Sequence, residues 1–484
     1  MAEKRVKKTK SKLMMGEEEE KVDRISKLPD ALLIHILSFL FTDDLVLTSL
    51  ISKRWRFLWC SVPNLHFLQT KKIGHSDGQL LFNNYVENFL EHRKRGMDGD
   101  HDSVITSFKL SMDRYDWSNA SFLDKWLGFV VENKVKEIKL GLWEEDTDEN
   151  GNGYYPSLPK PLVNSKYLTI LNLAMVELNC RYPFSFPSLK SLNLGVVRFA
   201  EKDVLDNLLL GSPSLERLEL SNLISDHKLH IHSDSLALKF LEIVVDDNLV
   251  ERIEVVNLES LRLSCVSFDK INLSVCKRIR IFRLDCDYDM KDLSSLEYLI
   301  SNLPLLEDLT LSNDECLALK LIYISSESLK SFSVENSRDN EMNVIVKSAP
   351  KLESFRYKGN HKFSITMESS NLLNGTFIIV VWPWREDFDG DWFINLLNFL
   401  LNLDCSWNKV TLHVDTLQAL IFPENLRRAC RSSLLNWEHL RVFATRKLER
   451  KSELRDALLW MSPSIKTLSI TKRSSLACFC DQLL

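Results

Sequence analysis

The sequence predicts an α/β solenoid: a small three-helix unit, an irregular array of short parallel strands, and a cap at the C-terminal end. Three observations lead there. Residues 22–66 carry apolar side chains at helical spacing in a segment too short to bury them all. Eleven copies of a Leu-x-x-Leu-x-Leu pattern, other apolar residues being allowed, then run in register from Ile105 to Tyr357. Beyond them come helical segments, a Ser-Pro break and one more strand motif, which read as a closing cap.

In the opening unit Leu32, Leu33, Ile36, Leu37 and Leu40 recur at i, i+1, i+4, i+5 and i+8, the spacing of a helix with a broad apolar face. Pro29 suits the first turn, where its missing N–H costs nothing, and Asp30 suits the positive end of the helix dipole. Thr42 or Asp43 can cap a second short helix reaching Leu50. Ser52 can cap a third, in which Trp55, Leu58 and Trp59 fall at i, i+3 and i+4. A unit of about 40 residues rarely buries enough surface to stand alone. Two tryptophans and a leucine-rich helix within it point to surface kept for a partner.

The residues of this unit carry a family resemblance. Asp23 to Ser26, Leu28 to Asp30, Leu32, Leu33, Ile36 to Ser38, Leu40, Thr48, Ser49, Ser52 to Trp55, Leu58 and Trp59 match the pattern of a plant-type F-box, which the segment resembles. The resemblance implies a Skp-family adaptor as partner, and through it a cullin. Carried over position by position, the adaptor-binding face is Leu28, Pro29, Leu32, Leu33, Ile36, Leu37, Leu40 and Trp55. Phe41-Thr42-Asp43-Asp44 stands where the family usually reads Leu-Pro-Thr-Lys, which changes the charge of the contact.

Ahead of this unit, residues 1–21 read as a disordered charged tail, with six basic residues from Lys4 to Lys12 followed by Glu17 to Glu20. No apolar core follows the basic start, so the tail is not a secretory signal. The basic cluster can act in nuclear import or simply be solvated, and the expected location is the nucleus and/or the cytoplasm. At 484 residues the chain has room for a small module and a long repeat array; 45% hydrophobic and 27% charged residues suit a soluble globular protein. No apolar run approaches the ~18 residues of a membrane helix, so no membrane partner is expected. The formal net charge is −5, and residues 1–15 alone carry six basic side chains against Glu3, which leaves −10 for the rest. Such a body argues against nucleic acid as a general partner.

From Leu168 onward the first positions of the repeat advance by 21, 26, 23, 20, 21, 27, 23 and 23 residues, within the ~20–29 typical of leucine-rich repeats. The last two apolar positions of each unit are two apart, so both point inward from one short strand. Stacking the units as parallel strands supplies hydrogen bonds and a continuous core. The ninth position, often Asn or Cys in this repeat family, is Val176, Val197 and Val266 in three units and Asp246, Asp287 and Asp314 in three others. The Val units add Leu178, Phe199 and Phe268 two residues later, a variant resembling that of plant F-box proteins. Residues 100–360 are expected to form this array. Strand residues of the other parity line its concave face, a mixed surface suited to a protein. Arg217, Phe240, Arg262, Ile281 and Arg283 are the expected substrate-binding centre, being adjacent in the stack and of hot-spot types.

After Asn360 the pattern fades. Trp392, Phe393, Leu396, Leu397, Leu400 and Leu403 have helical spacing, and Leu454 to Met461 reads as a helix stopped by Ser462-Pro463-Ser464 before the Ile465–Ile470 strand motif. This ending resembles the FBD region of plant F-box proteins with leucine-rich repeats. Residues 361–484 are therefore expected to cap an open solenoid end.

No catalytic residues, metal ligands or cofactor are expected. The sequence has no Gly-rich phosphate loop, no GxSxG and no HExxH. Its ten cysteines include no CxxC pair, and the His227, His230 and His232 cluster is not joined by a Cys or carboxylate constellation of the kind a metal site needs. The resemblance implies a non-catalytic substrate receptor of a Skp–cullin–F-box ubiquitin ligase, its repeats recruiting an unknown protein substrate. Two alternatives stay open: a receptor for a hormone-like small molecule in the same ligase, and a scaffold that binds the adaptor without delivering substrate.

Overall fold

A computed structural model of the chain describes residues 25, 27–69, 75–97, 104–113, 115, 120–143, 155–233, 235–245, 249–264, 272–286, 294–313, 321–336, 341–368, 371–380, 388–429, 435–444 and 451–472. The charged tail, Cys478 and Cys480, the ninth-position residues Val266, Asp246, Asp287 and Asp314, and Phe268 lie outside these. Within them sixteen strands form one parallel sheet in chain order. They are β1 (Asn64–Gln69), β2 (Ser107–Met112), β3 (Glu137–Leu142), β4 (Ile170–Ala174), then Ser191–Gly195, Arg217–Ser221, Phe240–Val244, Ser260–Ser264, Ile281–Cys286 and Asp308–Asn313. The last six are Ser331–Asn336, Ser354–Gly359, Leu373–Ile379, Trp407–Val414, His439–Ala444 and Thr467–Lys472.

Each strand alternates as the repeat dictates. Leu218 and Leu220, Leu241 and Ile243, Leu261 and Leu263 are wholly buried, while Arg217, Phe240 and Arg262 between them are half-exposed. The partner registers carry no offset across the central strands, so the leucines stack into one core. The chain leaves three successive strands through Met175, Val196 and Asn222, all at left-handed φ values of 57°, 55° and 48°. Val196 bears a β-branched side chain there, a conformation that costs roughly 1–2 kcal/mol. Its N–H donates to the Ser221 carbonyl at 2.8 Å and its carbonyl accepts from Met175 N–H at 3.0 Å, which holds the turn in place. The turn sends the chain to the convex side, where Glu177–Leu178 pairs with Arg198–Phe199 and buries Leu178 and Phe199.

The sheet does not end at residue 360. Four more strands follow without a break, and β1 begins ahead of residue 100, so the sheet exceeds the expected 100–360 array at both ends. The reason the later strands escape a leucine search is visible in their fillers. Gly375 stands opposite Phe355, at an inward position where a Cβ would lie 2.8 Å from the Phe377 and Trp407 rings. Trp407 thus fills the space that a leucine fills elsewhere. Further on, Trp407-Val410-Leu412, Trp437-Leu440-Val442 and Ile465-Leu468-Ile470 keep the inward spacing with other apolar residues.

At the other end, helix α2 (Thr42–Thr48) packs on β1 and helix α1 (Asp30–Leu37) packs on the 3-10 helix that precedes β1. The third segment is shorter than expected, a run of turns followed by a 3-10 helix at Leu58–Ser61, and Pro63 ends it. Leu33, Leu37, Leu45, Trp55, Leu58 and Trp59 are buried in a core continuous with that of the repeats. The Trp59 ring lies 4.7 Å from Phe89 on helix α3 (His75–Met97). Thr42 does not cap its helix. Its hydroxyl donates to the His66 carbonyl at 2.6 Å and accepts from the His66 N–H at 2.8 Å, tying α2 to β1. No described helix is long and apolar enough to cross a membrane.

Candidate functional site

Two surfaces are candidates, one at each level of the chain's organisation. The first is the outer face of the helical unit. Along α1 the helical period turns Leu33 and Leu37 into the core and Leu32 and Ile36 outward, 50% and 45% exposed. Leu40 and Pro29 are also exposed, and Leu28 is half-buried against the core. Of the eight residues expected on this face, Leu33, Leu37 and Trp55 therefore lie inside; they hold the surface in shape and do not form it. Arg54 fixes the start of α1, donating to the Asp30 carboxylate at 2.9 and 2.5 Å and to the Leu28 carbonyl at 2.5 Å.

The exposed patch is wider than motif reasoning implies. Phe39 is 76% exposed, and Phe41, Leu47, Leu50, Ile51 and Phe57 are exposed as well. These side chains crowd the ends of α1 and α2, where the unit is too small to fold them inward. The signal available in the sequence was the density of apolar residues from Phe39 to Phe57, which exceeds what three short helices can enclose.

The second surface is the concave face. Phe240 stands opposite Arg217 and Ser260, Ser260 opposite Ile281, and Arg262 opposite Arg283, so the five expected centre residues do share one patch. Their charges are already engaged. The Arg217 guanidinium lies 3.6 Å above the Phe240 ring and bonds Glu219. Arg262 bonds Glu242 at 3.2 Å and Asp285 at 3.0 Å. Burial pushes the Asp308 carboxyl above its ordinary range, against the opposing pull of Ser331, Arg283 and Thr310. Ile281, 48% exposed, is the most open apolar element of the patch. At the N-terminal end His66, Lys109 and Lys139 share one register row. Burial first, then the two lysines, hold His66 below its usual range, and Lys109 is paired with Glu137 at 3.1 Å.

Two other features bear on chemistry. On the convex side His230 pairs with Glu251 at 2.8 Å and His232 with Glu254 at 3.6 Å, carboxylates that sequence proximity did not reveal. Glu254 is shared with Arg252 at 3.3 Å, and no group of three metal-ligating side chains occurs among the described residues. A cavity of about 200 Å³ lies on the helix-bearing side, lined by Leu123, Asp124, Lys160, Arg181 and Tyr182 among others. That volume falls below the ~300–1,000 Å³ of small-molecule pockets.

A small helical unit whose core runs into that of a solenoid of parallel strands defines an α/β repeat protein with a helical N-terminal module. Comparison with known families gives the class. The F-box domain model matches residues 25–67, and the model for the leucine-rich repeats of FBD-associated F-box proteins matches residues 123–285. F-box/LRR-repeat protein 13 of Arabidopsis thaliana is 32% identical over 257 residues, 51% of this chain and 52% of the relative. An F-box/FBD/LRR-repeat protein of the same plant is 31% identical over 259 residues, 50% of this chain and 53% of the relative. An F-box protein of that plant is 28% identical over 373 residues, 70% of this chain and 76% of the relative. The chain thus spans about half the length of the first two relatives. It carries a match to the F-box domain at residues 25–67 and a match to the leucine-rich repeats of FBD-associated F-box proteins at residues 123–285.

Proposed function

We propose that this chain is a non-catalytic substrate-receptor subunit of a Skp–cullin–F-box ubiquitin ligase. Its F-box docks on a Skp-family adaptor, which joins it to a cullin, and its repeats hold a protein substrate for ubiquitin transfer by other subunits. The rate gain in such a subunit comes from proximity, because the solenoid keeps a substrate lysine near the charged conjugating enzyme. Residence in the nucleus and/or cytoplasm and a capping role for the FBD-like residues 361–484 belong to the same proposal. The carrying observation is the outward apolar patch of Leu32, Ile36, Phe39 and Leu40 on a unit anchored to the array. Such a patch is costly in water and matches the core of a protein interface.

Co-purification of the full chain with a Skp-family adaptor tests this. Leu32→Asp and Ile36→Asp should abolish retention with amide exchange of residues 30–48 unchanged, because both side chains are half in solvent. Leu37→Ala, at a wholly buried position, should instead cost about 2–5 kcal/mol of stability. Undiminished adaptor retention by both aspartate variants would overturn the reading.

A further inference from the structure

The concave face changes character toward its C-terminal end. Across the central strands each described arginine of the expected centre has carboxylates within its own or the neighbouring strand, as with Arg262 between Glu242 and Asp285. From Ser354–Gly359 to Thr467–Lys472 the outward positions read differently. They are Ser354, Arg356 and Lys358, then Asn374 and Thr376, then Lys409 and Thr411, then His439, Arg441 and Phe443, then Thr467, Ser469 and Thr471, while Ile378 and His413, of the same parity, are buried. No acid occurs among them.

Lys358 is paired with Glu335 at 3.0 Å, and Glu438, at the rim, is held by Lys466 at 2.8 Å. Lys409 and Arg441 are exposed, on adjacent strands, amid the hydroxyls of Thr376, Thr411 and Ser469. The patch is also braced. The His413 and Phe443 rings stack at 4.7 Å, the Arg441 guanidinium lies 5.9 Å from Phe443, and His439 shares a 2.8 Å hydrogen bond with Thr467.

We propose that this end of the concave face is a docking surface for an extended, Asp- and Glu-rich peptide segment of a protein partner. The proposal rests on the substrate-receptor reading and adds the chemistry of what is received. Strands lie about 4.8 Å apart, so five of them present a strip about 19 Å wide, the reach of roughly six extended residues. Carboxylates arriving there meet two cations and a row of hydroxyl donors, with no acid among the described outward positions of these strands to displace. One half-buried aromatic ring and a chain charge of −5 favour a peptide over a nucleic acid, which needs stacking platforms and an excess of basic groups.

The test is fluorescence anisotropy of the full chain with labelled hexaglutamate, which needs no adaptor, so its failure leaves the F-box reading standing. Lys409→Glu with Arg441→Glu should weaken binding at least about tenfold, and added salt should weaken the unaltered chain. Lys409→Gln with Arg441→Gln, a milder change to the fold, should fall between. Lys139→Glu with Lys166→Glu makes the same charge change elsewhere and should leave affinity within about twofold. The proposal is overturned if both double variants at Lys409 and Arg441 bind as before, or if the Lys139 and Lys166 pair loses as much. It is equally overturned if a single-stranded oligonucleotide of equal charge binds more tightly and displaces the peptide.

Discussion

Beside the shared apolar core, one buried hydroxyl ties the F-box to the solenoid, and Thr42→Val isolates its contribution. Valine matches threonine in shape, so the change opens no cavity and removes only the two hydrogen bonds to His66, at 2.6 and 2.8 Å, from a wholly buried position. Each such bond contributes about 0.5–1.5 kcal/mol net, and a buried partner left unsatisfied costs about 1–3 kcal/mol. His66 is half-buried, so water can reach part of the site, and the loss should be about 2–4 kcal/mol. A repeat array does not unfold in two states, so global denaturation is the wrong assay. Amide hydrogen exchange of the full chain reads the local opening directly. Residues 30–48 should exchange roughly thirty- to several-hundred-fold faster in Thr42→Val, with strands Arg217–Ser221 and Phe240–Val244 unchanged. Thr42→Ser keeps the hydroxyl and should stay near the unaltered chain, short by about 1 kcal/mol for the lost methyl. Equal exchange in the valine and serine variants, or a loss of protection spread evenly along the array, would refute the anchor.

Two other outcomes follow from the packing. Asp308 has a folded-state carboxyl raised by burial, so it binds its proton more tightly folded than unfolded, and its penalty grows as pH rises from about its ordinary value of 3.8. Asp308→Asn should therefore slow amide exchange in the strand Asp308–Asn313 relative to the unaltered chain at pH 7 and lose that advantage at pH 4; a constant ratio across the two would count against it. Gly211 sits where a Cβ would run into the Phe184 carbonyl group, so Gly211→Ala must displace backbone. It should cost at least about 1–3 kcal/mol, seen as faster exchange in the helix Val204–Leu210, and an unshifted profile would show that this close approach is slack.

Much of this architecture was legible because a period is robust to substitution. Leu168, Leu189, Leu215, Leu238 and Leu258 recur at repeat spacing, and all are buried at the entrance to a strand. The pattern became unreadable where one large ring replaced a leucine and a glycine made room for it, as at Trp407 and Gly375, since neither residue scores as part of the motif alone. On the F-box the motif gave the right helix but not its orientation. Leu32 and Leu33 are neighbours of one chemical type, and only tertiary packing, α1 lying on the 3-10 helix Leu58–Ser61, decides that the second turns inward. Electrostatic pairing was the least legible level. Arg262 looks like a free hot spot in sequence, and its carboxylates, Glu242 and Asp285, are 20 and 23 residues away.

That pairing has a physical origin in the stacking itself. Parallel strands in register place identical positions about 4.8 Å apart, and like charges directly opposite destabilise a sheet. The central row nevertheless reads Glu219, Glu242, Arg262, Arg283, two like pairs around one unlike pair. It is tolerable because Arg217 reaches Glu219, Asn193 donates to Glu219, and Asp285 reaches Arg262. The centre therefore satisfies itself, and a charged partner arriving there must break pairs before it makes any. Lys409 and Arg441 lie where the sheet supplies no such acid on the face. A folded chain with no ligand gains nothing from that arrangement, whereas a chain that receives carboxylates does. The asymmetry places charge recognition at the far end of the solenoid from the F-box and leaves the middle for shape, with Ile281 and the Arg217–Phe240 stack as its apolar contacts.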